Sequence, residues 1–481
     1  MSLRPGFLLL LLISAATYGQ SGYKMDFKVK GLKDTTVLLA YHNGEQNYLK
    51  DTAKVDSRGN FSFEDPKSLA QGAFMLVIGK NTLFEFVLGA DQRFSMESDT
   101  ADLIGHMVVN GDEDNKLYFE NANFIARKFK EADPYVKILK DSTLKPDAKK
   151  QAREEFTKVS TEVVNFQNDL IAKHPTTLTA RLIKSTKEIV VPDPPKRPDG
   201  TIDSTWQFKY YREHYWDNFD LADDALIRLP RPVYSEKVKD YFDRLFLQQS
   251  DTITREIVRL TGKIKKNPEA YKYFVWLCLN HYYAPKIMGL DQVYVNLYDK
   301  FIATGEMDYW LPKKSKQDIK DYVDKLRVSM IGGNAANLIM QDKDLKAKSM
   351  YDFKNKYTVL YIFNPDCGHC REEMPKLVEF YNKSKAKYDF EVYAVSIDTS
   401  IAKMKKFMQE FKVPFTTVNG PRTYVGHWSK FYYAETTPSM YVIDTKHKII
   451  AKKLPIEQLE DFLTKYGIIQ QNKKPNGNKG T

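Results

Sequence analysis

The sequence predicts a multidomain protein in three parts: an N-terminal antiparallel β-sandwich, a central all-α domain and a C-terminal α/β domain. Hydrophobic residues alternate with period two up to about Asn115, recur at steps of three and four through the middle third, and after Ile331 gather into strand-length apolar runs separated by amphipathic segments. A length of 481 residues is also more than one hydrophobic core accommodates.

The expected order is a leader over 1–19, a β-sandwich over 20–115, a helical domain over 116–328, the α/β domain over 329–470 and a disordered tail over 471–481. The leader reads MSLRPGFLLLLLISAATYGQ, with Arg4 ahead of an apolar block from Phe7 to Ile13 and small residues after it. That is the pattern of a secretory signal peptide cut near Gly19. The block is shorter than the roughly 20 residues a membrane crossing needs, and no later stretch is expected to span. The protein is therefore expected in the periplasm or cell envelope.

In the sandwich region MDFKVKG, TVLLAYH, AFMLVIG and LFEFVLG are short alternating strands, and Asp56 to Asn60 looks like a hairpin loop before Phe61 and Phe63. In the helical region Phe156, Val159, Val163, Phe166 and Leu170 share one helix face, with Pro146 suited to the first turn and Pro175 ending the helix. A Pro-rich linker from Val191 to Gly200 interrupts the region, and helical patterning resumes from Trp206 to Val328. In the last region YTVLYIF and DFEVYAVSID are buried strands, EMPKLVEFYNKS and IAKMKKFMQEF are helices, SMYVID and KIIAKKL form a hairpin, and IEQLEDFLTKYG closes the domain. This order implies a mixed sheet covered on both faces.

The formal charge of +11 is spread through a mixed-sign surface, as in KKQAREEF, so nucleic acid is not an expected partner. The three cysteines are Cys278, in the apolar helical run YKYFVWLCLN, and the pair Cys367 and Cys370. Cys278 is expected to be a buried thiol that behaves as a small hydrophobe.

The pair lies in YIFNPDCGHCREEMP. Haem attachment requires His after the second cysteine, where Arg371 stands. Zinc requires a second ligand pair, which the sequence lacks. A structural disulfide across two residues would restrict the unfolded chain little. A redox dithiol fits better, because a thiol opening a helix faces unpaired backbone N–H groups that stabilise its thiolate. Cys367 is then the nucleophile and Cys370 the resolving thiol, with Gly368 and His369 between them tuning the couple. No cofactor beyond the Cys367–Cys370 disulfide is implied.

At these residues the sequence resembles the TlpA/ResA-like thioredoxin-fold thiol-disulfide oxidoreductases of bacterial envelopes. CGHC follows a buried strand, Pro375 stands five residues after Cys370, and GHWSKFYYAETTPSMYVID matches the family's cis-proline segment. The resemblance covers about Ile331 to Ile469. It implies that Pro438 is cis and lies against the dithiol, that the Thr437 backbone pairs with a substrate segment, and that Glu373 relays a proton to or from Cys370. Tyr361 stands where cytoplasmic thioredoxins carry a buried Asp. Gly-His is the dipeptide of protein disulfide isomerases, at about −180 mV against about −270 mV for thioredoxin, so the direction of electron flow stays open.

The leading regions resemble two uncharacterised domains found ahead of such modules. The aromatics of YYREHYWDNFDL are expected to be core, and Asp217, Asp220, Asp223 and Asp224 a solvated face. The expected partners are exported proteins with thiols or disulfides and an unidentified redox partner. The alternative is an envelope scaffold whose C-terminal domain is mainly structural. A peroxidase lacks its signature here.

Overall fold

A computed structural model describes residues 22–147 and 149–473. The expected leader and residues 474–481 of the expected tail lie outside the described residues. Contacts divide the chain into two compact units, Met1–Tyr241 with Lys263–Ala270, and Phe242–Gly262 with Tyr271–Thr481. No helix of the described residues is long and apolar enough to cross a membrane.

The first unit opens with β1 (Tyr23–Lys30), β2 (Thr36–Asn43), β3 (Gln46–Lys54), β4 (Asn60–Asp65), β5 (Gly72–Ile78), β6 (Asn81–Leu88), β7 (Arg93–Asp99) and β8 (Val108–Asn110). They form two four-stranded sheets, ordered β4-β1-β7-β8 and β3-β2-β5-β6. Inward phenylalanines of both sheets meet between them. Phe27 stacks on Phe61 with centroids 5.2 Å apart and meets Phe86 edge-on at 5.7 Å.

Two details depart from the sequence reading. The pair β1 and β7 is parallel, with Phe27 beside Met96, because the chain visits the other sheet between them. The Asp56–Asn60 turn joins β3 to β4 across the two sheets and is not a hairpin. Its Asp56 carboxylate accepts the Arg58 and Asn60 N–H groups at 2.8 Å. Gly59 there has φ +86°, and a Cβ would lie 2.2 Å from the Val29 carbonyl oxygen.

Helix α1 (Glu113–Lys140) follows, capped by the Asp112 carboxylate on the Asn115 N–H. Buried Asn115 accepts the Val87 N–H at 2.9 Å and donates to the Val87 carbonyl at 2.7 Å, which ties the helix to β6. Helix α2 (Lys150–Lys173) packs on α1 through stacked Phe124 and Phe166, 4.1 Å apart. Pro175 lies just past its end, as expected, but Pro146 stands ahead of its first turn. Helices α3 (Leu178–Ser185) and α4 (Trp206–His214) complete this run.

Tyr215, Phe219 and Leu221 are buried, so the aromatic run supplies core at these positions. The four aspartates each pair with a basic side chain: Asp217 with His214, Asp220 with Lys266, Asp223 with Arg181, and Asp224 with Arg228.

Helices α5 (Val233–Leu245), α6 (Ser250–Ile264) and α7 (Pro268–His281) come next. Cys278 on α7 is buried, and burial pushes its thiol far above the ordinary range. Helix α8 (Asp291–Leu297) continues into a π-helical turn, Tyr298–Ile302, before α9 (Lys313–Arg327).

The second unit then builds β9 (Ile339–Asp342), β10 (Ala347–Ser349), β11 (Tyr357–Phe363), α10 (Gly368–Tyr388), β12 (Phe390–Ser396), α11 (Ile401–Glu410), β13 (Thr416–Thr423), β14 (Ser439–Asp444), β15 (Ile449–Lys452) and α12 (Leu459–Lys473). Helix α12 thus continues into the segment expected to be disordered.

Seven strands form one mixed sheet, β10-β9-β13-β12-β11-β14-β15, in which β11 is parallel to β12 and antiparallel to β14. Strand β11 alternates between two cores. Val359, Tyr361 and Phe363 pack with Met374 and Leu377 of α10, while Leu360 and Ile362 pack with Trp428 and Tyr432 on the other face. This alternation aims the C-terminal end of β11 and the first turn of α10 at one spot.

Where the second unit's helices meet the sheet, Lys452 at the end of β15 pairs with Asp291 at the start of α8, and both are buried. Burial draws the Lys452 ammonium below its ordinary value, against the pull of Asp291.

Candidate active site

Asn364, Pro365 and Asp366 carry the chain from the end of β11 to α10. The Asn364 side chain accepts the Asp366 N–H at 2.9 Å, and its carbonyl accepts the Cys367 N–H at 3.1 Å. This tight turn leaves Cys367 in extended backbone as the N-cap of α10, with Gly368 as the first helical residue. Cys367 is half-buried, whereas Cys370, one turn on, is fully buried against the β11 core.

The two thiols ionise in opposite directions. The Cys370 N–H holds the Cys367 thiol below its ordinary value, helped by the Cys370 and Thr437 side chains and the His369 N–H and opposed by partial desolvation. These are the unpaired donors of a helix start acting on a sulfur. Burial pushes the Cys370 thiol up to about 11, although its Sγ accepts the Asn364 N–H at 3.4 Å.

Seventy residues further along, the Thr437–Pro438 peptide bond is cis. The Thr437 carbonyl oxygen lies 3.4 Å from the Cys367 Sγ. The segment with the cis bond thus meets Cys367.

Other site residues are placed differently. The His369 side chain is 84% exposed and 3.3 Å from Glu372. Its backbone N–H, not its imidazole, bears on Cys367. Glu373 is partly buried on the inner side of α10 and pairs at 2.7 Å with Lys376, which also reaches Glu457 at 2.6 Å. Pro375 lies within α10, which continues past it.

A cleft of about 240 Å³ opens between Glu373 and the cis-proline segment. Its lining includes Tyr361, Glu373, Pro438, Met440, Lys453 and Ile456. The sequence reading did not single out Ser439. It is the residue after the cis-proline, buried at the start of β14, and it pairs with Ile362 on the sheet face opposite Tyr361.

Residues 331–452 match the AhpC/TSA family, and the leading regions match two models each described as a domain of unknown function, DUF4369 over 23–118 and DUF5106 over 147–314. The chain is 29% identical over 147 residues to the thiol-disulfide oxidoreductase ResA of a Bacillus cereus strain, covering 30% of this chain and 83% of that one. ResA of a Bacillus thuringiensis strain matches to the same extent. These matches support a TlpA/ResA-like thioredoxin-fold protein with additional N-terminal domains. A solved domain of a possible thiol-disulfide isomerase from Cytophaga hutchinsonii is 33% identical, with 30% of this chain and 97% of that one covered and a TM-score of 0.28. A thioredoxin-like protein from Bacteroides caccae aligns over 58% of this chain and 99% of its own, at 18% identity and a TM-score of 0.45. The C-terminal domain is thioredoxin-like, and two further regions precede it.

Proposed function

We propose that this oxidoreductase exchanges disulfides with exported, cysteine-containing proteins in the periplasm or cell envelope, using Cys367 and Cys370 and no cofactor beyond their own disulfide. The observation that carries the reading is the placement of the two thiols, Cys367 half-buried at the N-cap of α10 and 3.4 Å from the Thr437 carbonyl oxygen, and Cys370 buried one turn on.

Cys367 thiolate attacks a partner disulfide, forming one S–S bond and releasing the partner's other sulfur as thiolate. Cys370 then loses its proton and attacks the Cys367 Sγ, and the departing electron pair stays on the partner's sulfur. The partner disulfide gains two electrons as Cys367 and Cys370 become oxidised. The same steps in reverse oxidise a partner dithiol.

Cys370 supplies little thiolate unaided. Burial keeps its proton on, so a nearby base matters. Glu373 is the carboxylate that takes this role. The Thr437 backbone beside Pro438 aligns an extended partner segment across the nucleophile.

The test is reduction of insulin by the full chain with dithiothreitol as electron source. Wild type is expected to accelerate it and Cys367→Ser to abolish the acceleration. Equal rates with and without the wild-type protein would overturn the proposal.

A further inference from the structure

Asp366 stands immediately before Cys367, in the turn between β11 and α10. A carboxylate at this place works against the nucleophile in two ways. It repels a thiolate on the next residue, and it is drawn to the N–H groups of a helix start. Those are the donors that act on the Cys367 sulfur.

The structure ties this carboxylate to α11 instead. Lys403, in the first turn of α11, reaches the Asp366 carboxylate at 2.5 Å and the Asp398 carboxylate at 3.3 Å. Asp398 is a fixed anchor, because its carboxylate accepts the Ser400 N–H at 2.7 Å and its carbonyl accepts the side-chain amide of buried Asn419 at 2.8 Å. The same helix also steadies the preceding residue of the turn. Arg371 donates to the Pro365 carbonyl at 3.4 Å, pairs with Glu410 at the end of α11, and lies over the Phe411 ring, 5.2 Å from its centroid. The other ionisable groups around the nucleophile are engaged elsewhere. His369 meets Glu372 at 3.3 Å and Glu373 meets Lys376 at 2.7 Å, while burial keeps the Cys370 thiol protonated.

From this arrangement we propose that Lys403 is a positioning residue for the nucleophile: by bridging Asp366 to Asp398 it neutralises the carboxylate next to Cys367 and keeps it off the start of α10. The inference rests on the disulfide-exchange reading above and deepens it. Lys403 touches neither sulfur and acts through Asp366. Both members of the pair are at least half exposed, and such pairs add little to stability. Its effect belongs on the ionisation of Cys367.

The experiment measures the pH dependence of Cys367 alkylation by iodoacetamide in the full chain carrying Cys370→Ser and Cys278→Ala, so that one thiol reacts. The reagent is neutral, and removing a lysine does not alter its approach. Lys403→Met should raise the midpoint by about half a unit or more at low salt. The shift should shrink in about 1 M salt, where the screening length falls to about 3 Å. Lys403→Arg should keep the parent midpoint. Adding Asp366→Asn to Lys403→Met should bring the midpoint back to the parent value, because the charge that Lys403 offsets is then gone. Unfolding temperatures should stay close to that of the parent chain.

A Lys403→Met profile that matches the parent would overturn the inference and leave disulfide exchange intact. A raised midpoint that Asp366→Asn does not restore would also overturn it, since Lys403 would then act by another route. A parent chain whose Cys367 titrates as free cysteine would overturn the exchange reading and the inference together.

Discussion

The Cys367 Sγ lies 3.4 Å from the Thr437 carbonyl oxygen, so the nucleophile and the residue before the cis-proline meet across seventy positions of sequence. Two segments make the site, and neither positions a partner alone. Replacing Thr437 by Val keeps the backbone and removes the hydroxyl that favours both thiolates. The account expects Thr437→Val to raise the apparent ionisation of Cys367, measured by iodoacetamide alkylation across pH, with unchanged thermal unfolding.

The resolving thiol gives a covalent readout. Cys370→Ser should accumulate mixed disulfides through Cys367 in envelope extract, visible as higher-mass bands that dithiothreitol releases. Cys367→Ser should yield none. Absence of adducts in Cys370→Ser would favour the scaffold alternative.

Burial ranks the three thiols. In native protein at pH 8, Cys367 should react with a thiol reagent first, Cys370 more slowly and Cys278 not at all, whereas denaturant should expose all three. Cys278 also predicts alkaline weakening. Its folded ionisation is raised above the unfolded value of about 8.5. Its contribution is therefore complete below that pH and declines as pH rises above it, because the unfolded chain then binds fewer protons than the native one. The unfolding temperature should fall above pH 9, and Cys278→Ala should lessen that slope.

The buried pair of Lys452 and Asp291 predicts a large single-site effect. Lys452→Met strands a buried carboxylate and should destabilise the protein by about 3–5 kcal/mol, seen as a lowered midpoint in urea. Replacing both partners, as Lys452→Met with Asp291→Leu, should recover much of the loss.

Much of this fold was legible because local chemistry and global role coincide. The run YTVLYIF is apolar on both faces, as a central strand requires, and the cysteines open the helix after it. What escaped has physical reasons. Helix α1 carries Pro134 inside it and has polar residues on much of its surface, so its apolar stripe is weak. Strand β13 ends in Asn-Gly-Pro-Arg-Thr, which reads as a turn, and its pairing with β9 shifts register there. The parallel β1 and β7 pair is invisible to alternation, which reports the buried face and not a neighbour's direction. At the site the cysteines were evident from spacing. The exposure of His369 and the reach of Lys403 to Asp366 depend on packing, which no local pattern encodes.

The central claim is that Cys367 is held as a reactive thiolate by the start of α10. The most direct test is the pH dependence of Cys367 alkylation in the Cys370→Ser, Cys278→Ala chain. Because the Cys370 N–H and the rest of the helix start remain in that variant, the account predicts half-maximal reactivity clearly below the free-cysteine value of about 8.5. A midpoint at or above that value would contradict it.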